Sequence, residues 1–165
     1  MSIASLLPEF SGLHLFADGC HEPKSRQGGW SFVVYRDAVE IASEFGGAKQ
    51  TANNAMELFA TLRAVAWINA NALGETAVVW TDSLYVVNGC NIQRPIWRTN
   101  GWRKRLPNGK GRSRAVENSA GWQALDLALS CNGNVIFRWC KGHSGILGNE
   151  LADSLAEKGR LSLKT

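Results

Sequence analysis

Two short apolar segments that each end in an aspartate constrain the fold of this chain more than any other feature. The first, residues 13 to 19, reads Leu-His-Leu-Phe-Ala-Asp-Gly, and the second, Thr76 to Asp82, has Ala-Val-Val-Trp at its centre. Both have the length and composition of strands that are buried on two faces. Open α/β sheets bind ligands at the carboxyl ends of their strands, so Asp18 and Asp82 are expected at such an edge.

The remaining pattern predicts a mixed α/β domain. Further strands are predicted at residues 30 to 36, 39 to 45 and 135 to 139, and helices at 53 to 74, 83 to 88, 119 to 130 and 149 to 158. Residues 95 to 114 predict a short helix followed by a projecting loop. We expect a five-stranded mixed sheet, with an antiparallel three-strand meander plus two parallel strands, flanked by helices. Asn53 or Asn54 is expected to cap the first long helix.

The length of 165 residues fits one domain with its own hydrophobic core. We expect an irregular N-terminal arm at 1 to 12, the domain at 13 to 159 and a short tail at 160 to 165. No apolar run approaches the roughly 20 residues of a membrane helix, and no secretory signal precedes the first strand. These features predict a cytoplasmic protein without membrane association. The four cysteines form no Cys-x-x-Cys pair and are interpreted as free thiols.

Basic residues concentrate between Arg94 and Arg114. Eight of the 18 Lys and Arg residues lie there, without any Asp or Glu, and Trp97 and Trp102 lie among them. A solvated basic loop is the simplest explanation. We favour a nucleic-acid contact, because a patch of one charge with interspersed aromatic residues repels itself and suits a polyanion.

Four acids are candidates for a catalytic site, although each alone has an ordinary structural explanation. Asp18 and Asp82 end strands, where aspartate commonly favours a turn. Glu57 lies near the start of a helix, where an acid complements the helix dipole. Asp153 lies in the last predicted helix, which follows the glycine-containing loop at 141 to 148.

Taken together and in this order, seven motifs resemble a type 1 ribonuclease H. They are Phe-Ala-Asp-Gly at 16–19, Gly-Gly-Trp at 28–30, Thr-Ala-Asn-Asn-Ala-Met-Glu-Leu at 51–58, Thr-Asp-Ser-Leu-Tyr-Val at 81–86, Gly-Trp at 101–102, Lys-Gly-His-Ser-Gly at 141–145 and Gly-Asn-Glu-Leu-Ala-Asp at 148–153. The resemblance covers residues 13 to 159. It implies a ribonuclease H-like fold for this domain and a stand-alone, bacterial-like enzyme.

The resemblance implies endonucleolytic hydrolysis of the RNA strand of RNA/DNA hybrids, leaving 5′-phosphate and 3′-hydroxyl ends. Two Mg²⁺ ions, with Mn²⁺ as a substitute, would be bound by four acids: Asp18, Glu57, Asp82 and Asp153. Hard divalent cations prefer carboxylate oxygens, and two such ions can support an in-line displacement at phosphorus. We expect a monomer whose partner is the RNA/DNA hybrid, with no obligatory protein partner.

Two polar residues near the last helix are implied to assist the acids. His143, in the glycine-flanked loop, would help in proton transfer or product release. Asn149 would hold the attacking water or this histidine in place. A helix cap explains Asn149 almost as well.

The resemblance also implies how the hybrid is bound. Asn53 and Asn54 would contact its minor groove, where the 2′-hydroxyl distinguishes RNA from DNA. A basic protrusion would grip the phosphates of the DNA strand through Trp97, Trp102, Arg103, Lys104 and Arg105. Ala55 and Leu84 depart from the family pattern, which often has arginine and glutamine at these positions.

Other activities fit the acids less well. A proofreading exonuclease is expected to carry a second acid at position 20, where this chain has Cys20. An integrase or transposase would lack a helix-borne acid such as Glu57. A ribonuclease H domain from a retroelement polyprotein is harder to exclude, and a non-catalytic hybrid-binding module is the alternative from a different functional class.

Overall fold

Strands and helices make up most of the computed structural model, which describes residues 10–104, 111 and 113–163. The strands are β1 (Leu13–Glu22), β2 (Gln27–Arg36), β3 (Val39–Ala48), β4 (Ala77–Thr81), β5 (Arg103–Lys104), β6 (Arg114–Ala115) and β7 (Val135–Trp139). The helices are α1 (Asn53–Asn71), α2 (Leu84–Asn88), α3 (Arg94–Thr99), α4 (Ser119–Ser130) and α5 (Leu147–Leu161), and a π-helical turn at Gly89–Gln93 joins α2 to α3. The predicted α/β class is confirmed.

Five strands form the main sheet in the order β3-β2-β1-β4-β7. The pairs β1–β2 and β2–β3 are antiparallel, whereas β1–β4 and β4–β7 are parallel. This confirms the predicted meander plus two parallel strands. Phe16 pairs with Trp80, so Asp18 and Asp82 each lie two residues further along and reach the same edge of the sheet.

Helices cover both faces of the sheet. The larger core lies on the side of α1 and α4, where Leu15, Phe32 and Trp122 are completely buried. The smaller core lies on the opposite face, where Phe16 packs with Ala152 of α5. Strand β1 is therefore buried on both sides, which explains why its sequence lacks a clean alternation of apolar and polar residues. In the described ranges, every helix is too short or too polar to cross a lipid bilayer.

The ends of several elements differ from the sequence prediction. Strand β1 continues to Glu22, and Gly28 and Gly29, which resemble a loop in sequence, lie in β2 and pair with it. Helix α1 ends at Asn71 rather than residue 74, and its N-cap is Ala52, with no side-chain cap bond, so the predicted capping by Asn53 or Asn54 is wrong. Hairpin pairing and helix docking set these ends, which local patterns do not record.

Gly29 allows α5 to lie directly against β2. A side-chain carbon at this position would collide with the backbone of Ala156 and Arg160. The glycine is therefore needed for close approach rather than for a turn. Since α5 carries Asn149 and Asp153, this contact also fixes the distance of those side chains from the sheet.

We predict that Gly29→Ala lowers the free energy of unfolding by about 2 kcal/mol or more, because α5 must move away from β2. Urea denaturation measures the change. Gly133→Ala is the matched control, since a side-chain carbon there meets nothing within 4 Å. Equal stabilities of the two variants would contradict the close-packing role of Gly29.

Candidate active site

Three carboxylates from separate elements meet at the carboxyl edge of the parallel strands. They belong to Asp18 on β1, Glu57 on α1 and Asp82 just after β4, and one oxygen of each lies within 4.8 Å of the others. Asp18 is only 3% exposed and Glu57 only 6% exposed, whereas Asp82 is half-buried. The arrangement brings together three acids that are distant in sequence.

A direct contact between β1 and α1 places Glu57 beside Asp18. The Gly19 N–H donates a hydrogen bond to Oε2 of Glu57 at 3.0 Å. A side-chain carbon on Gly19 would collide with the backbone of Met56 and Glu57. The glycine that follows Asp18 therefore lets α1 approach and orients the second acid.

The chain after β7 surrounds Asp82. The Cys140 N–H donates to the Thr81 carbonyl at 3.0 Å, and a side-chain carbon on Gly142 would lie 2.6 Å from Oδ2 of Asp82. Nδ2 of Asn149 lies 3.5 Å from the same carboxylate oxygen. These contacts limit the orientations that the Asp82 carboxylate can adopt.

Asn149 and Asp153 reach the site from α5. Asn149 is buried and lies within the helix, which begins at Leu147, two residues earlier than predicted. The N-cap is Ile146, so the alternative that Asn149 caps the helix is wrong. Asp153 is half-buried and its charge raises the pKa of Asp18, but its carboxylate lies outside the group of three whose oxygens are within 4.8 Å of one another. The fourth predicted acid therefore borders the other three through Asp18.

Burial and mutual repulsion disfavour the charged forms of these acids. Burial is the main cause that raises the pKa of Asp18, and the charges of Glu57, Asp82 and Asp153 raise it further. Burial also raises the pKa of Glu57, followed by the charge of Asp82, while the Gly19 hydrogen bond opposes the change. A bound cation would relieve this repulsion.

His143 lies next to this cluster on the loop between β7 and α5. Its side chain is exposed, and its backbone has a φ of 52°, in the left-handed region. Burial raises the pKa of Asp82, whereas its hydrogen bond to Asn149 and the charge of His143 lower it. The imidazole is therefore close enough to influence Asp82 while remaining accessible from solvent.

The predicted groove residues lie at the start of α1. Asn53 is exposed and Asn54 is half-buried, and neither side chain caps the helix. Leu84, at the first position of α2, is 57% exposed two residues after Asp82. The two asparagines and the exposed side chain of Leu84 thus lie close in sequence to Glu57 and Asp82, respectively.

The predicted basic protrusion consists of α3 and the ribbon formed by β5 and β6, where the sequence predicted only a loop after the helix. Trp97 is buried, and its ring centroid lies 5.2 Å from that of Trp122. Nζ of Lys104 lies 5.8 Å from the centroid of Trp97, and Trp102 is half-buried against the core. Trp97 thus supports the protrusion instead of presenting its ring to solvent.

Ion pairs hold α3 on α4. Arg94 and Arg98 both bind Oδ1 of Asp126, whose side chain is largely buried. Arg103 donates from Nε to Oγ of Ser113 at 2.7 Å across the ribbon. Arg105, the remaining residue predicted to contact the hybrid, lies outside the described part of the chain.

Sequence reasoning overlooked two glycines and a tryptophan at this site. Gly19 and Gly142 belong to the recognised motifs, but their value lies in contacts with Glu57 and Asp82 that only the fold creates. Trp139 donates from Nε1 to the Asp82 carbonyl at 3.1 Å. Its position two residues before the Lys-Gly-His-Ser-Gly motif is the only sequence signal that places it near the acids.

Comparisons with known proteins agree with this geometry. The family model described as RNase H matches residues 11–160. A ribonuclease H of Rhizobium meliloti (strain 1021) is 39% identical over 149 residues, which are 89% of this chain and 89% of that protein. LC9-RNase H1, described as a type 1 RNase H with the type 2 active-site motif, has a TM-score of 0.76 at 25% identity, with 93% of this chain and 74% of that chain covered.

A longer viral protein shares the fold. The foamy viral protease-reverse transcriptase, solved in complex with an RNA/DNA hybrid, has a TM-score of 0.78 at 20% identity. The match covers 93% of this chain and 20% of that one. With the family match along nearly the whole domain and the acids gathered at one edge of the sheet, the chain belongs to the ribonuclease H family and is an endoribonuclease.

Proposed function

We propose that this protein hydrolyses the RNA strand of RNA/DNA hybrids with the help of two divalent cations, leaving 5′-phosphate and 3′-hydroxyl ends. Membership of the ribonuclease H family supports cleavage of the RNA strand. The observation that carries the metal-dependent mechanism is the convergence of three carboxylates within 4.8 Å. Buried acids at this separation repel one another unless a cation neutralises them.

The donor set fits Mg²⁺. Asp18, Glu57 and Asp82 offer carboxylate oxygens, which hard cations prefer, and Asp153 adds a fourth acid beside Asp18. We propose that these four acids bind two Mg²⁺ ions and accept Mn²⁺ in their place. When bound, such ions activate a water and neutralise the charge that develops on the phosphate and the leaving oxygen.

The protein's own groups orient the acids and handle the proton. The Gly19 N–H holds one oxygen of Glu57, and Asn149 approaches one oxygen of Asp82, so each of these carboxylates is oriented through one of its oxygens. We propose that Asn149 also helps to position the attacking water. His143, accessible on its loop, would deliver a proton to the departing 3′-oxygen. Its imidazole would then move out of the site as the product is released.

Recognition of the hybrid is proposed for two surfaces. Asn53 and Asn54, which are not used in capping, would contact sugar edges in the minor groove, where an RNA 2′-hydroxyl is present. Arg103 and Lys104 on the ribbon would bind phosphates of the DNA strand, with Arg105 continuing this surface. Trp102 and Trp97 would hold the ribbon in place. We further propose that the protein acts as a cytoplasmic monomer without an obligatory protein partner.

Asp82→Asn is expected to lower the cleavage rate about 100-fold or more, because it removes an anionic ligand from the site. Labelled RNA/DNA, RNA/RNA and DNA/DNA duplexes, each with Mg²⁺, Mn²⁺ or EDTA, measure the activity. Glu40→Gln, an exposed acid on β3, is the control and should cleave normally. Full activity of Asp82→Asn would refute the metal site, and hybrid binding without cleavage by the wild type would indicate a binding module.

The stability of the metal-free protein should depend on pH in a defined direction. Burial raises the pKa of Asp18 and Glu57 above the ordinary 3.8 and 4.5, so the folded state holds more protons than the unfolded state. The stabilising contribution of these acids to the free energy of unfolding is therefore fully present below about pH 4 and decreases as the pH rises. In EDTA, Asp18→Asn should be more stable than wild type by roughly 1–3 kcal/mol at pH 7.

Chemical denaturation of both proteins at several pH values tests this expectation. Glu75 and Glu157, whose arginine partners lower their pKa, titrate alike in both proteins and cancel in the difference. Mg²⁺ should stabilise the wild type and leave the variant nearly unchanged. A wild type that is more stable than Asp18→Asn in EDTA at pH 7 would contradict the electrostatic argument.

Arg103→Gln combined with Lys104→Gln is expected to weaken hybrid binding and to reduce its dependence on salt. Each lost phosphate contact should lower the logarithmic salt slope by roughly one. Fluorescence anisotropy with a labelled hybrid in Ca²⁺ or EDTA measures binding without cleavage. Arg36→Gln combined with Lys158→Gln removes the same charge from β2 and α5 and is the control. Equal salt slopes in the two double variants would place the phosphate contacts elsewhere.

A further inference from the structure

We propose that Trp139 is a positioning residue for Asp82, and that its indole N–H keeps this acid in the geometry required for metal binding. The inference rests on the proposed function, because it concerns the same carboxylate site. Nε1 of Trp139 donates to the carbonyl oxygen of Asp82 at 3.1 Å. Trp139 touches the backbone of the acid and acts through it.

Of the three clustered acids, Asp82 alone lies outside a strand or helix. Asp18 lies within β1 and pairs with Ser31 of β2, and Glu57 lies within α1. Asp82, in contrast, follows the last residue of β4 and precedes α2 by two positions. Neither a strand ladder nor a helix therefore fixes its peptide groups.

Trp139 supplies a hydrogen bond at the point where the ladder between β4 and β7 ends. The parallel pairing of β4 with β7 ends at Thr81 and Trp139, and the Cys140 N–H still binds the Thr81 carbonyl. One residue further, the backbone of β7 no longer follows β4, and the indole side chain donates to the Asp82 carbonyl instead. The first carbonyl that accepts a backbone hydrogen bond from α2 is that of Ser83, so the Asp82 carbonyl accepts none from the helix.

The exposure of Trp139 agrees with this role. The side chain is 46% exposed at the end of an edge strand, whereas Trp122 in the core is completely buried. Packing alone would favour a more deeply buried ring. Its single donor nevertheless binds a backbone carbonyl rather than solvent.

Several groups around Asp82 act on different atoms. Asn149 and Gly142 are adjacent to the carboxylate oxygen Oδ2, and Thr81 Oγ1 accepts from the Ser83 N–H at 3.1 Å. Trp139 is the side chain that holds the Asp82 carbonyl among the residues that the structure describes. Without this bond the peptide after Asp82 keeps only the contact of its N–H with Thr81 Oγ1, which gives the carboxylate more freedom to move away from Asp18 and Glu57. Partners of metal ligands typically change metal affinity 10- to 100-fold when they are removed.

The test separates the N–H group from the bulk of the ring. Trp139→Phe removes the donor and part of the ring, whereas β-(3-benzothienyl)alanine at position 139 keeps the bicyclic shape and replaces the N–H with sulfur. Trp67→Phe, a half-buried tryptophan on α1, is the matched control. Thermal unfolding, the Mg²⁺ concentration for half-maximal rate, kcat and the KM for hybrid are measured for each protein.

Both replacements at position 139 are expected to raise the Mg²⁺ requirement and lower kcat about tenfold, with the KM for hybrid unchanged. Trp67→Phe should behave as wild type. Nitrogen-proton correlation NMR provides a second measurement that needs no turnover. The indole signal of Trp139 is assigned as the one missing from the spectrum of Trp139→Phe, and in the wild type this signal should shift when Mg²⁺ is added.

The outcomes separate the two proposals. A wild type that cleaves hybrid and binds Mg²⁺, together with a benzothienyl variant of unchanged Mg²⁺ requirement and kcat, would overturn the role of Trp139 alone. A wild type that neither binds Mg²⁺ nor cleaves would overturn the proposed function and this inference with it. If Trp139→Phe does not fold, the isosteric variant still decides between a packing role and a positioning role.

Discussion

The repulsion among Asp18, Glu57 and Asp82 is the constraint on which the rest of this structure depends. Three carboxylates with oxygens within 4.8 Å, two of them nearly inaccessible to solvent, are unfavourable in a protein without a cation. The fold therefore has to hold them together by other means. It does so with a rigid sheet edge, a helix placed directly on β1 and a second helix on the opposite face.

Glycines make this convergence sterically possible. Gly19 admits α1 to the end of β1, and Gly29 admits α5 to β2, so acids from both faces of the sheet reach one edge. Gly142 brings the loop after β7 against Asp82. Close backbone contacts thus hold the acids together despite their repulsion, and the hydrophobic cores on the two faces of the sheet stabilise these contacts.

The same fold separates the chemistry from the contacts proposed for substrate binding. The acids lie on the central sheet and on long helices, whereas the basic protrusion is a short helix and a two-stranded ribbon. Asp126 neutralises part of the basic charge through Arg94 and Arg98 and thereby anchors the protrusion to α4. A site on the central sheet with a separately anchored basic surface would suit the proposed function, in which one strand is cut while the other is held.

The sequence by itself determined the α/β class and the sheet with its meander and parallel strands, because buried strands leave strong local patterns, and its ordered motifs contain the three acids that the structure brings together. Only the tertiary structure decided that Asn149 lies inside α5 beside Asp82, that Trp97 is a core residue and that Trp139 holds the Asp82 backbone. These roles arise from contacts between residues far apart in sequence. Such contacts depend on how closely the helices approach the sheet, and no local pattern encodes that distance.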